Sequence, residues 1–108
     1  MISTHILDTS VGLPAPKVKV SLEQFTNDEI WVEIAQGETN NDGRHAFDIA
    51  AKAGKYRLNF FTEKYFLDNK TPSFFLDTPV AFNITDTSRK YHVPLLLNPY
   101  GYSTYRGS

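Results

Sequence analysis

The chain has 108 residues, a formal net charge of −1 and 41% hydrophobic residues. These values predict one folded domain, spanning residues 1–108, and exclude the strongly basic surface by which proteins bind nucleic acid or anionic membranes. The absence of cysteine excludes disulfides, thiolate metal sites and a cysteine nucleophile.

Two further features bear on membranes and on cellular location. The longest apolar run, Val93–Leu97, is far too short to span a bilayer. Residues 1–5 lack the basic segment and the following apolar segment of a secretory signal. We therefore expect no membrane or nucleic-acid partner and a cytoplasmic location, with the periplasm as the alternative if a leader was removed from the mature chain.

Alternation of apolar and polar residues with period two predicts most of the secondary structure. In chain order, the predicted strands are a first strand containing His5 and Ile6, then Lys17–Glu23, Ile30–Ala35, Arg44–Ile49, Tyr56–Phe60, Val80–Ile84 and Tyr91–Leu97. In the third of these, Ile30, Val32 and Ile34 share one face. The segment Asn40–Gly43 is a strong turn signal, because Gly accepts a positive φ and Asn and Asp side chains bond to their own backbone.

One segment, Thr62–Asn69, departs from this alternation. Thr62 can cap a helix and Glu63 suits a first helical turn. The apolar residues that follow can dock on a sheet, so we predict a short helix here. Six to eight short strands separated by turns predict an all-β fold, a β-sandwich.

The last predicted strand is apolar on both faces. Its odd-numbered residues form one apolar face, and His92, Pro94 and Leu96 form the other, which is not evidently a solvent face. A strand that is apolar on both sides is usually buried on both sides. In a two-layer sandwich another subunit would have to cover the outer face, so we expect an oligomer with His92 near the contact. A loop that covers the strand is the alternative.

The three histidines, His5, His45 and His92, are the first candidates for chemistry. His45 follows Arg44 directly after the predicted turn, which predicts a surface position. No HxH or HxxxH pair and no cluster of carboxylates occurs, so we expect no metal site. A Gly-x-Ser-x-Gly motif, which would indicate a serine nucleophile, is also absent. The residues alone thus predict a β-sandwich with a site of histidine and arginine.

The last ten residues, Pro99–Ser108, contain three tyrosines and an arginine. Such a segment is expected to pack against the protein, whereas most chain ends lose order. The Ser108 carboxylate would then be a fixed negative charge beside the Arg106 guanidinium. The alternative is a frayed end whose arginine has no role.

Several segments occur in the order in which one enzyme family has them: Ser3–Ser10 with Gly12–Ala15, Thr39–Arg44, Tyr56–Leu58, Tyr65–Phe66, Tyr91–Leu97, Pro99–Thr104 and Tyr105–Ser108. Through them the chain resembles the 5-hydroxyisourate hydrolases, the transthyretin-related enzymes of urate degradation, over nearly its whole length. Transthyretin shares the fold but lacks the histidine at the position of His5 and the Tyr-Arg-Gly-Ser ending. The segment Phe74–Asp77 departs from the family, which commonly has a proline after the aromatic pair, but it lies outside the site motifs.

The resemblance implies a transthyretin-like (prealbumin-like) β-sandwich of about eight strands with one short helix. It implies a homotetramer, a dimer of dimers, whose sites lie in a groove at the dimer–dimer contact. His5, Arg44, His92 and the segment Tyr105–Ser108 would line this groove. The implied reaction is the hydrolysis of 5-hydroxyisourate to 2-oxo-4-hydroxy-4-carboxy-5-ureidoimidazoline, without a cofactor or metal.

The reaction opens a ring at an acyl C–N bond, which suggests roles for these residues. An imidazole with an ordinary pKa near ~6.5 is suited to removing a proton from water, so His5 and His92 would supply the base and its partner. The Ser108 carboxylate would orient one ring. Arg44 would hold substrate oxygens and offset developing charge. Substrate contacts are expected from His5 and Arg44 and from Tyr105, Arg106 and Gly107, with anchoring of the tail as the alternative for Arg106.

The sequence leaves two other functions open. A transthyretin-like carrier would keep the groove and bind a hydrophobic ligand, although His5, Arg44 and a charged tail argue against an apolar channel. A structural sandwich module of a larger assembly is the third interpretation. Turnover of 5-hydroxyisourate would exclude the carrier, and a tetramer would argue against the structural module.

Overall fold

The computed structural model describes residues 1–108, which form nine strands and one helix. In chain order these are β1 (Ile2–Asp8), β2 (Leu13–Pro14), β3 (Lys19–Phe25), β4 (Trp31–Glu38), β5 (Arg44–Phe47), β6 (Gly54–Phe60), α1 (Thr62–Asp68), β7 (Thr78–Ile84), β8 (Tyr91–Asn98) and β9 (Gly101–Thr104). The strands make two sheets, so the predicted all-β sandwich with one short helix is confirmed. The structure contains no helix that is long and apolar enough to cross a membrane.

The two sheets have different strand orders. The first sheet has the order β2-β1-β8-β9, and β5 also pairs with β1. The second sheet has the order β4-β3-β6-β7. The pairing of β1 with β8 is parallel and every other pairing is antiparallel. The two ends of the chain therefore meet at the centre of the first sheet.

The core lies between the sheets and explains the alternation in the sequence. Seventeen buried apolar side chains form one cluster, to which both sheets contribute. On β1 the even-numbered residues are buried, whereas the odd-numbered ones are half-buried on the other face. Each large apolar side chain in such a core stabilises the fold by roughly 1.5–3 kcal/mol. Burial thus determines which face of β1 points outward, and that outward face carries His5.

Helix α1 is attached to the end of β1 through a buried carboxylate. The Tyr65 hydroxyl donates to Asp8 Oδ2 at 2.8 Å, and the Ser10 N–H donates to Asp8 Oδ1 at 3.0 Å. Burial raises the pKa of the Tyr65 phenol, and the hydrogen bond to Asp8 adds to the effect. Since Asp8 is only 4% exposed, these bonds replace the water that the carboxylate loses on folding.

The capping role predicted for Thr62 is wrong. The N-cap position is Phe61, which makes no side-chain capping hydrogen bond. The Thr62 hydroxyl instead donates to the Leu76 carbonyl at 3.1 Å and lies 2.8 Å from the Thr78 hydroxyl. It therefore ties the start of the helix to the approach of β7, a contact that depends on tertiary packing.

The prediction for the strand near Ile30 is also only partly right. Ile30 precedes β4, and a bulge between Leu22 and Glu23 shifts the register of the β3–β4 pair. Val32 and Ile34 remain 39% and 42% exposed. The reason is that β4 is an edge strand, so an apolar alternation there does not ensure burial. The short strands β2 and β9 were not predicted, because neither has an apolar alternation of its own.

Candidate active site

Side chains from three strands meet on the outer face of the first sheet. Ser3 pairs with Ala46 on β5 and with His92 on β8, so these three side chains form one cross-strand row. The neighbouring row contains Arg44, His5 and Pro94. Residues paired in this way point to the same face. The sheet therefore brings together the two histidines and the arginine that the sequence predicted as catalytic.

A tight turn places Arg44 beside β1. The Asn40 side-chain oxygen accepts the N–H groups of Asp42 at 2.9 Å and Arg44 at 3.0 Å. Gly43 has a φ of +72°, and an added Cβ would lie 2.5 Å from the Ile6 carbonyl oxygen. Only glycine fits this backbone approach. The predicted turn at Asn40–Gly43 thus has a definite function, since it starts β5 in register with His5.

His92 is held from two sides. The Ser3 hydroxyl lies 2.9 Å from His92 Nδ1. On the other side, the Gly107 N–H donates to the His92 carbonyl at 2.8 Å, and a Cβ added at Gly107 would lie 2.7 Å from His92 Cδ2. The tail therefore packs directly against the imidazole, as expected of a held segment.

The electrostatic surroundings keep His92 neutral. Burial lowers the pKa of the His92 imidazole below its ordinary value, and the positive charges of Arg44 and His5 act in the same direction. Both effects disfavour the charged imidazolium. At neutral pH His92 is thus an unprotonated imidazole that can accept a proton.

An open cavity of about 270 Å³ lies over these residues, and we call it the histidine cavity. It is lined by Ser3, Thr4, Asn40, Arg44, His45, Ala46 and His92. Its lining is almost wholly polar, and it combines a neutral base with a guanidinium that can bind oxygen atoms in pairs. Within the chain, no group of three or more histidine, cysteine or carboxylate side chains is placed to hold a metal ion.

The predicted surface position of His45 is only partly right. His45 is half-buried, and its ring lies edge-on to the Phe47 ring with 4.5 Å between centroids. A Cβ added at Gly37 would overlap the His45 ring, so that ring packs on the bare backbone of β4. His45 pairs with Thr4, an inward-facing residue, whereas Arg44 pairs with the outward-facing His5. The alternation of β5 therefore turns the His45 ring toward β4, while the residue still borders the histidine cavity.

The rest of the tail lies elsewhere in the single chain. Tyr105 and Arg106 line a second cavity of about 260 Å³, with Val80, Phe82, Val93 and other residues of β7 and β8. Ser108 is exposed and takes part in neither of the two ion pairs, which are Arg57–Glu23 and Lys64–Asp68. Of the predicted site residues, the structure thus brings together His5, Arg44, His92 and Gly107, and it separates Tyr105 and Arg106 from them.

The residues of the histidine cavity that were not predicted to belong to the site include Ser3 and Asn40. Ser3 could have been found, because it lies two residues before His5 on a strand and such residues share a face. Asn40 was predicted only as a turn residue. Its proximity to His92 follows from the β1–β5 pairing, which no local pattern shows.

Comparison with known proteins gives consistent matches. The model of the HIUase/Transthyretin family matches residues 2–107. A curated relative, the 5-hydroxyisourate hydrolase of Salmonella dublin, is 49% identical over 111 residues, covering 100% of this chain and 81% of that protein.

Solved structures agree with this match. The 5-hydroxyisourate hydrolase of Klebsiella pneumoniae superposes with a TM-score of 0.86 and 38% identity, covering 99% of this chain and 98% of that one. Sea bream transthyretin, in complex with thyroxine, superposes with a TM-score of 0.92 and 31% identity, covering 98% of this chain and 93% of that one. The fold is therefore common to a hydrolase and to a thyroxine-binding protein.

Proposed function

The chain belongs to the HIUase/Transthyretin family, and we propose that it is a hydrolase that opens the ring of 5-hydroxyisourate. The observation that carries the proposal is the meeting of His5, Arg44 and His92 in two adjacent rows of one sheet face. The names of the relatives at 38% and 49% identity support the same substrate. The fold alone would not support this substrate, since the same fold also occurs in transthyretin.

We infer that a water molecule attacks the ring carbonyl in the histidine cavity. The water oxygen bonds to the carbonyl carbon, the acyl C–N bond breaks, and the leaving nitrogen takes up a proton. The product is then 2-oxo-4-hydroxy-4-carboxy-5-ureidoimidazoline. No redox partner or cofactor is needed, because water supplies both the oxygen and the protons.

The surroundings of each side chain support a division of roles. His92 is the general base, because burial and nearby positive charge lower its pKa and leave it ready to accept a proton. Arg44 binds the carbonyl oxygen, where negative charge develops during attack. His5 is not part of the cavity lining, but it pairs with Arg44 and acts on His92, and from there it delivers the proton to the leaving nitrogen. Tyr105, Arg106 and Ser108 make no contact with this cavity in one chain, so a substrate role for them requires a neighbouring chain.

The test of the function is the decay of 5-hydroxyisourate, generated in place by urate oxidase and followed by absorbance. We expect the decay rate to increase linearly with the concentration of this protein above the uncatalysed rate. Heat-denatured protein is the control for non-specific effects. No acceleration by correctly assembled protein would remove the hydrolase proposal.

A second candidate function is a carrier of an apolar ligand, favoured by the TM-score of 0.92 to thyroxine-bound transthyretin. The polar lining of the histidine cavity argues against it. Binding of thyroxine by calorimetry, combined with no hydrolysis, would favour the carrier.

We further propose that the protein is a homotetramer, a dimer of dimers. The next row of the outer face contains three apolar residues, Pro14, Leu7 and Leu96, before it ends at Ser103 on β9, and Leu96 is 37% exposed. On another side, β7 and β9 each form one edge of a sheet and leave backbone groups unpaired. The apolar face and the free edges give two different surfaces, as an assembly of two dimers requires.

Substitution of Leu96 tests this arrangement. Light scattering should give the mass of four chains of 12.3 kDa for the wild type. We expect Leu96→Arg to reduce this to two chains, because it places a charge in the apolar row. The matched control is Leu67→Arg on α1, which is 68% exposed and should leave the mass unchanged. A Leu96→Arg protein that keeps the wild-type mass would exclude this face as the contact.

A further inference from the structure

The Ser3 hydroxyl is the one side-chain hydrogen-bond partner of the His92 ring. It lies 2.9 Å from Nδ1, and the two residues are 89 positions apart in the sequence. The contact follows from the parallel β1–β8 pairing, which sets Ser3 directly beside His92. Because the bond occupies Nδ1, Nε2 is the ring nitrogen that remains free to act on a substrate.

Gly107 restricts the ring further. Its N–H donates to the His92 carbonyl at 2.8 Å, and a Cβ added at Gly107 would lie only 2.7 Å from His92 Cδ2. A half-turn of the ring about its Cβ–Cγ bond would exchange the positions of Nδ1 and Cδ2 and break the contact with Ser3, and the adjacent Gly107 backbone leaves little room for that rotation. The ring is held in one orientation, and the position of its proton is the remaining variable.

We propose that Ser3 is a positioning residue, which accepts a hydrogen bond from Nδ1–H of His92 and so keeps Nε2 unprotonated toward the histidine cavity. Its catalytic consequence rests on the proposed hydrolase function. A neutral imidazole carries one proton, and a serine hydroxyl can either donate or accept. If Ser3 donated to Nδ1, the proton would lie on Nε2 and the ring could not act as the base there.

A hydrogen bond in which Ser3 accepts from Nδ1–H also suits the transfer of a proton from water to Nε2. When Nε2 takes a proton from water, the ring becomes a cation with two N–H groups. Nδ1–H then continues to donate to Ser3, so that bond need not reorganise during the reaction. The titratable groups facing His92 are Arg44 from β5 and His5 from β1, and both are donors when charged. Neither can replace Ser3 as an acceptor in that state.

The experiment compares Ser3→Ala with Ser3→Thr, which keeps the hydroxyl and suits a strand. We expect Ser3→Ala to lower kcat about tenfold with little change in KM, the effect of one lost hydrogen bond. Ser3→Thr should restore most of the rate. The acid limb of the kcat profile should move to lower pH in Ser3→Ala, because the protonated ring loses an acceptor.

The matched control is Thr9→Val. The Thr9 hydroxyl donates to the Leu97 carbonyl at 3.1 Å, at the opposite end of the β1–β8 pair. This variant removes a hydroxyl that also joins the two strands but contacts no histidine. We expect its kcat to match the wild type, and a loss equal to that of Ser3→Ala would overturn the positioning role.

A second measurement does not depend on activity. The nitrogen chemical shifts of His92, measured by NMR on the substrate-free protein, report which ring nitrogen carries the proton. We expect mainly Nδ1–H in the wild type and in Ser3→Thr, and a shift toward Nε2–H in Ser3→Ala. An unchanged tautomer in Ser3→Ala would overturn the inference, as would a changed tautomer with unaltered kcat. If the wild type proved inactive, the proposed function would fail, while the tautomer would still decide whether Ser3 controls the ring.

Discussion

Replacing His92 with alanine is expected to lower kcat by about 10²–10⁴-fold, the contribution of a positioned general base. His92 is half-buried on the outer face of the first sheet and is not part of the apolar core. Its loss should therefore leave the fold intact. The rate of 5-hydroxyisourate decay measures the effect, after subtraction of the uncatalysed rate.

The control for His92→Ala is a check that the variant folds and assembles as the wild type does. Circular dichroism and light scattering should show the same strand content and the same mass as the wild type. A folded variant of unchanged mass and near-normal kcat would remove His92 from the mechanism. The base would then have to be sought in His5, the other histidine on the same face.

The proposed role of His92 as the general base also determines the sign of the pH dependence. The base must be unprotonated, and the pKa of His92 is lowered by burial and by Arg44 and His5. We therefore expect kcat/KM to fall on acidification with a midpoint below ~6.5, the ordinary pKa of histidine, because the ring takes up its proton only at lower pH. An acid limb centred at or above the ordinary pKa of histidine would show that burial, Arg44 and His5 do not control the pKa of His92.

Replacing Arg44 with lysine is expected to lower kcat/KM by at least about 10²-fold, the cost of losing one oxyanion donor. The substitution keeps the positive charge, but an ammonium group cannot reproduce the planar pair of donors of a guanidinium. The backbone of Arg44 is held by Asn40 and by the register with His5, so the shorter side chain cannot move closer to compensate.

The matched control is Arg89→Lys. The Arg89 side chain is half-buried and lies over the Tyr91 ring, with its guanidinium carbon 5.4 Å from the ring centroid. It does not line the histidine cavity. We expect this variant to retain the wild-type kcat/KM. Equal activity of Arg44→Lys and Arg89→Lys would show that a positive charge is sufficient at position 44, and the role of paired donors would be wrong.

Much of the fold could be predicted because its signals are local. The alternation of Val18, Val20 and Leu22, for example, reflects a strand with one buried face, and all three side chains are indeed buried. The turn at Asn40–Gly43 follows from the conformational freedom of one glycine and the side chain of one asparagine. Such properties depend on neighbouring residues alone.

The composition of the site could be predicted only in part. His5, Arg44 and His92 stood out through their residue types and the resemblance to the hydrolases, and the structure places them on one face. His45 was assigned to the surface because nothing in its own segment shows Gly37, the residue on which it packs. Tyr105 and Arg106 lie one and two residues before Gly107, yet they line a different cavity.

The sequence by itself determined the class of fold, the turn before Arg44 and the residue types available for acid–base chemistry, since each depends on local periodicity and side-chain chemistry. Only the tertiary structure decided that Ser3 meets His92 and that Gly107 closes against the same ring. Both contacts depend on the register of strands that are distant in sequence. That register is set by backbone hydrogen bonds and by burial of the opposite face, and a shift of one residue would turn every side chain of the site toward the core.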